Sequence, residues 1–110
     1  MQFMVIGLDG KDDDALNRRL AVRAAHIELG DKMRDAGIML YGAAILDENE
    51  KMIGSVLMCD FESRAALDEW LSVEPYVTGK VWQKVEIQRC KVGPSFEGLS
   101  LRTATTDVLQ

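Results

Sequence analysis

Residues 1–8, Met1-Gln2-Phe3-Met4-Val5-Ile6-Gly7-Leu8, decide the fold. The run is apolar and β-branched, and the turn residues Asp9-Gly10 follow it, which marks a strand. Successive side chains of a strand point to opposite faces. Phe3 and Val5 therefore share one face, and Met4, Ile6 and Leu8 share the other. Apolar side chains on both faces belong to a central strand covered on both sides.

The rest of the chain can be built outward from this strand. Asp12–Asp14 offer an N-cap and favourable charge for a helix running from about Asp14 to Ala36, and Gly37 suits its C-terminal stop. Ile38–Leu46 and Met52–Cys59 read as a hairpin around the polar turn Asp47-Glu48-Asn49-Glu50. Ser63 is a second N-cap, and Ala66, Leu67, Trp70 and Leu71 give Arg64–Val73 helical spacing. Glu74-Pro75 ends that helix, because the residue before a proline avoids the helical region. Val81–Cys90 alternates, with Val81, Val85 and Ile87 on the more apolar parity, as in a half-buried strand.

The order β-α-β-β-α-β predicts an α+β, ferredoxin-like fold: a four-stranded antiparallel sheet with two helices on one face. Two helices leave the second face open. Its apolar residues call for a homodimer through that open sheet face, unless the chain's own tail fills it. Residues 1–92 form the expected domain. Residues 93–110 are a C-terminal tail with turn-like Gly93-Pro94 and Gly98 and no clear pattern.

A chain of 110 residues fits one domain. Its 18 acidic against 13 basic residues, net charge −5, argue against nucleic acid or an anionic membrane as a partner. No apolar run approaches the ~20 residues that span a bilayer. The apolar start has no basic n-region or cleavage site, so a cytoplasmic chain is expected. Cys59 and Cys90 then read as reduced, buried thiols, and with a single histidine no metal site is expected. The glycines show no dinucleotide or phosphate-loop spacing, so no cofactor is expected, and no serine or cysteine sits in a nucleophile elbow. Met33, Met39, Met52 and Met58 suit core filling.

The first helix breaks its own amphipathic pattern. At 100° per residue, Leu16, Leu20 and Ile27 fall on one flank, and Val22, Leu29 and Met33 on the other. Between them, on the arc that should face the sheet, lie Arg19, Arg23, His26 and Gly30. A buried cation costs several kcal/mol, as an order of magnitude, unless it is paired. Either the sheet supplies acids, or the helix stands off and leaves a cleft beside Gly30. The plainer alternative has the arginines snorkelling to the rim and His26 bonded to one carbonyl. Candidate partners for the imidazole are Glu74, Tyr76, Asp60 and Tyr41. An acidic partner would select its tautomer and suit it to general acid–base work. Spacing alone reads Glu74 as a helix-end carboxylate in solvent.

The run Arg18-Arg19-Leu20-Ala21-Val22-Arg23-Ala24-Ala25-His26 resembles the first helix of the YciI-like (YCII-related) family. Glu74-Pro75-Tyr76-Val77 with Gly79 resembles that family's Asp-Pro-aromatic segment, and Gly42 in the second strand is a weaker match. The likeness spans roughly Met1 to Lys91. It implies a dimeric α+β barrel with a cleft beside the first helix and His26 and Glu74 as the catalytic pair. Glu74 stands where the family usually has Asp, and Ala43 where a proline is common. One branch of the family removes chloride from a hydroxylated chloroaromatic ring.

The resulting expectation is a cofactor-independent lyase or isomerase, of proton-transfer or dehydrochlorination type. It would act on a small anionic or phenolic substrate. His26 would move the proton, Glu74 would orient the imidazole, Arg19 and Arg23 would hold the anion, and Tyr41 or Tyr76 would shape the pocket. The alternatives are a non-catalytic ligand-binding module using the same cleft, and a structural dimer whose arginines form ion pairs.

Overall fold

The computed structural model describes residues 1–97. Its elements are β1 (Gln2–Asp9), α1 (Ala15–Asp35), β2 (Met39–Leu46), β3 (Met52–Asp60), α2 (Arg64–Val73), α3 (Pro75–Thr78) and β4 (Trp82–Arg89). A 3-10 turn follows at Pro94–Phe96. The strands form one antiparallel sheet in the order β2-β3-β1-β4, so β1 is central. This is the ferredoxin-like arrangement that the order of elements predicts. The tail beyond 97 lies outside the described residues.

Burial alternates along β1: Phe3, Val5, Gly7 and Asp9 are buried, while Met4, Ile6 and Leu8 are half-buried. The first set faces the helices. There Phe3 and Val5 join Leu57, Cys59, Phe61, Leu67, Trp70, Tyr76, Val81 and Trp82 in one core. Each large apolar side chain so buried contributes about 1.5–3 kcal/mol. The second set pairs across β3, Met4 opposite Met58 and Ile6 opposite Val56, on a face that no described element covers.

Local chemistry sets the ends of the helices. Gly37, with φ of 78°, closes α1 in a left-handed conformation that costs a side chain. Its N–H donates to the Arg34 carbonyl at 2.9 Å, and Ile38 N–H donates to the Met33 carbonyl at 2.9 Å, a Schellman closure. Ser63 caps α2 by accepting from Ala66 N–H at 3.1 Å. Asp14 stands at the α1 N-cap, but its side chain makes no capping bond. Asp12 instead takes a two-point contact from Arg18, at 2.6 and 2.8 Å.

Three further details differ from the sequence pattern. Pro75 stops α2 but also opens α3, since a proline at the first helical position forfeits no intrahelical bond. The β1–β4 register shifts between Leu8 and Asp9, so Asp9 pairs with Trp82 and the alternation of β4 is interrupted. Trp82 thereby turns into the core and lies against Gly7, where a Cβ would overlap the indole. Finally, α1 is rotated from the symmetric wheel: Val22, Leu29 and Met33 pack on the core, whereas Leu20 and Ile27 are exposed. The exposed flank, with Ile27, Asp31 and Arg34, faces the cleft rather than the core.

Candidate active site

α1 and β2 diverge to leave a cleft of about 450 Å³. Its helix side is Arg19, Arg23, His26, Ile27 and Gly30; its strand side includes Tyr41, Gly42 and Ala44, with Ser55 and Tyr76 at the base. Nothing lies within 4 Å of the position a Gly30 Cβ would take, so the missing side chain keeps that wall open.

His26 and Glu74 meet at this cleft. Nδ1 lies 2.5 Å from Glu74 Oε1; the imidazole side chain is 18% exposed and the carboxylate 1%. Pro75 explains how a carboxylate after α2 comes inside. It fixes the start of α3, and Glu74 becomes that helix's N-cap, accepting Tyr76 N–H at 3.1 Å through the same Oε1. The carboxylate selects the tautomer with the proton on Nδ1. Nε2 has no partner among the described residues, and the ring borders the cleft.

Tyr76 lies flat against the imidazole, with ring centroids 3.8 Å apart and planes at 9°. Trp82 meets both rings edge-on, at 6.2 Å from His26 and 5.6 Å from Tyr76. Burial pushes the Tyr76 phenol up from its ordinary pKa, while Arg19 and Arg23 pull it partly back.

Arg19 is enclosed rather than free. Its side chain and that of Asp9 are each 2% exposed. Nη1 donates to both Asp9 oxygens at 3.2 and 3.3 Å, and Nη2 to the Gly54 carbonyl at 2.8 Å and Ser55 Oγ at 2.7 Å. Ser55 Oγ also accepts from Trp82 Nε1 at 3.2 Å. Burial raises the Asp9 carboxyl above its ordinary pKa, and the Arg19 guanidinium opposes that shift.

The remaining candidates are more open. Arg23 is exposed at the cleft rim and forms no ion pair among the described residues; Arg34, farther along the same wall, pairs with Asp31 and Asp35. Tyr41 is 62% exposed at the mouth. Asp60 is turned to the Met1 amine, 3.1 Å away. Thus Arg19, Arg23, His26, Tyr41 and Tyr76 border one cleft, with Glu74 behind His26.

Sequence reasoning passed over Asp9, Ser55 and Trp82. A signal for Asp9 was present: it continues the Phe3, Val5, Gly7 parity that faces the helices, where an inward arginine needs an acid. Trp82 had no such signal, because its direction depends on the register shift. Of the cysteines, Cys59 is fully buried and Cys90 partly so, and both are free. Burial pushes the Cys59 thiol up to about 12, which leaves it inert at neutral pH. Among the described residues, no three His, Cys, Asp or Glu side chains cluster as metal ligands, and no helix is long and apolar enough to cross a membrane.

A ferredoxin-like sheet with a histidine–carboxylate pair at a helix–strand cleft defines a class of small α+β domains. The chain belongs to the family of the YCII-related domain, whose model matches residues 1–91. It is 31% identical over 84 residues to the proteins YciI of Escherichia coli O6:H1 and of Shigella flexneri, covering 71% of this chain and 86% of theirs. Its fold is similar to that of the 5-chloro-2-hydroxyhydroquinone dehydrochlorinase of Burkholderia phenoliruptrix AC1100, solved in complex with 2,5-dihydroxybenzoquinone. That TM-score is 0.73 at 20% identity, over 86% of this chain and 98% of that one. A dimeric ferredoxin-like protein of unknown function from Jannaschia sp. CCS1 matches at a TM-score of 0.50 and 15% identity, over 83% and 98% of the two chains.

Proposed function

We propose that this chain is a cofactor-independent enzyme of lyase or isomerase type that moves a proton on a small anionic or phenolic molecule. The observation that carries the reading is the imidazole of His26, held through Nδ1 by a buried carboxylate while its ring borders a cleft. A neutral imidazole protonated on Nδ1 offers the Nε2 lone pair as a base. Glu74 stabilises the imidazolium that forms, which then returns the proton. Tyr76 restrains the ring's tilt. Arg23, which forms no ion pair among the described residues, receives the negative charge of the ligand at the rim, and Tyr41 covers the mouth.

Dehydrochlorination is the specific form that the fold's likeness to the chlorohydroquinone enzyme brings forward. On a chlorinated hydroxyhydroquinone, His26 would carry a phenolic proton to the chlorine-bearing ring carbon; chloride then leaves that carbon as a second hydroxyl proton is lost, so that HCl departs overall and a hydroxyquinone remains. The working unit in this proposal is a homodimer through the open sheet face. The half-buried apolar row Met4, Ile6 and Leu8 supports that arrangement.

The test is turnover of a panel of chlorinated and unchlorinated hydroxyhydroquinones, followed by chloride release and absorbance. His26→Ala should lower the rate by about 10²–10⁴-fold, the usual contribution of a general acid–base group, while ligand still raises the melting temperature. Stabilisation of the native protein by ligand without any product would overturn the proposal and identify a binding module.

A further inference from the structure

Arg19 and His26 lie on one face of α1, seven residues apart, which is about 10.5 Å of helical rise. The Tyr76 ring reaches both: the Arg19 guanidinium carbon stands 4.6 Å over its centroid, and the imidazole centroid 3.8 Å from it. Those distances fit a ring inserted as the middle layer between the two side chains. Arg19 can hold its place in that stack only because four hydrogen bonds tie it to Asp9, Gly54 and Ser55. A guanidinium attracted to an aromatic face while enclosed from water is a cation–π contact worth more than at an exposed site.

We propose that Arg19 is a positioning residue: anchored by Asp9 and Ser55, it clamps Tyr76 against His26 and so fixes the plane of the imidazole that faces the cleft. The anion-holding role then falls to Arg23, because the charge of Arg19 is already matched inside the protein by Asp9. The inference rests on His26 being the working group. Its test uses no substrate, so failure to find turnover leaves its readout intact.

His26 is the only histidine, so its ring resonances can be assigned without ambiguity. Face-to-face stacking on Tyr76 should displace its carbon-bound ring protons upfield of free imidazole. The proton on Nδ1 should give one tautomer in ¹⁵N spectra taken at about pH 9, above the ordinary imidazole range. The double variant R19M/D9N removes the cation and its acid together, leaving no uncompensated buried charge. Most of the upfield displacement should be lost, while the Nδ1-protonated tautomer, selected by Glu74, persists and the Leu67 methyl resonances of the core stay in place. A folded double variant with native His26 resonances would overturn the proposal. Should the double variant not fold, Arg19→Lys keeps a charge against Asp9 but removes the planar guanidinium over Tyr76, and should move the same resonances part of the way; native positions there would overturn it equally. Tyr76→Leu, which deletes the middle layer, marks the fully released ring.

Discussion

Glu74 holds two parts of the site through one oxygen. Its Oε1 lies 2.5 Å from His26 Nδ1 and 3.1 Å from Tyr76 N, so the group that orients the imidazole also caps the turn carrying the ring stacked on it. Glu74→Ala leaves the Tyr76 N–H and the imidazole Nδ1 without that acceptor. The expected cost is about 1–3 kcal/mol, read by urea unfolding. Glu74→Gln keeps an oxygen for the Tyr76 N–H but removes the charge facing an imidazolium. It should retain most of the stability while turnover falls, and equal activity in native and Gln proteins would count against the paired role.

Asp9 predicts a different separation. Asp9→Ala strands the Arg19 cation in the core, and breaking one side of a buried pair typically costs about 3–5 kcal/mol. The double replacement R19M/D9N should cost less than Asp9→Ala alone, since no charge is left without its counterpart. A cycle of D9N, R19M and R19M/D9N in urea, with Asp9→Ala beside it, checks this, and simple additivity of the two singles would refute it.

Arg23 should matter for binding and little for folding. It is exposed and makes no ion pair among the described residues, so Arg23→Ala should change stability by no more than about 0.5 kcal/mol. Calorimetric titration should show weaker binding of anionic ligands and unchanged binding of neutral analogues.

Gly30 can be tested by filling space. A helical glycine replaced by alanine with open room around it gains up to about 1 kcal/mol. Gly30→Ala should therefore raise the unfolding midpoint. Gly30→Trp should keep the fold and abolish ligand-induced stabilisation by occupying the cleft.

Acid stability has two opposing parts. The two-point contact from Arg18 lowers the Asp12 carboxyl to about 2 from an ordinary value of 3.8. Its contribution is present above 3.8 and is lost as pH falls through that range toward 2. Asp9, raised by burial, has the opposite sign: the folded state holds its proton more tightly, so stability falls as pH rises from 3.8 through the raised value. Asp12→Asn should flatten the loss of stability between about pH 4 and pH 2, and 1 M salt should reproduce much of that effect by screening an exposed pair. Urea midpoints across that range supply the measurement.

Much of this molecule could be read from one dimension. The period-2 runs, the Ser63 cap, Gly37 and Glu74-Pro75 are local signals, because strand alternation, helix capping and proline's backbone limits act within a few residues. They set the order of elements and placed Arg19 and His26 on the inward side of α1. The family resemblance paired His26 with Glu74, but only tertiary structure decided which acid Arg19 meets. Asp9 reaches Arg19 because its strand parity faces the helices; Trp82 turns inward because the β1–β4 register shifts by one residue. Ile27 stays exposed because its flank of α1 faces the cleft while Val22, Leu29 and Met33 pack on the core, a long-range choice between two apolar flanks that a helical wheel does not contain.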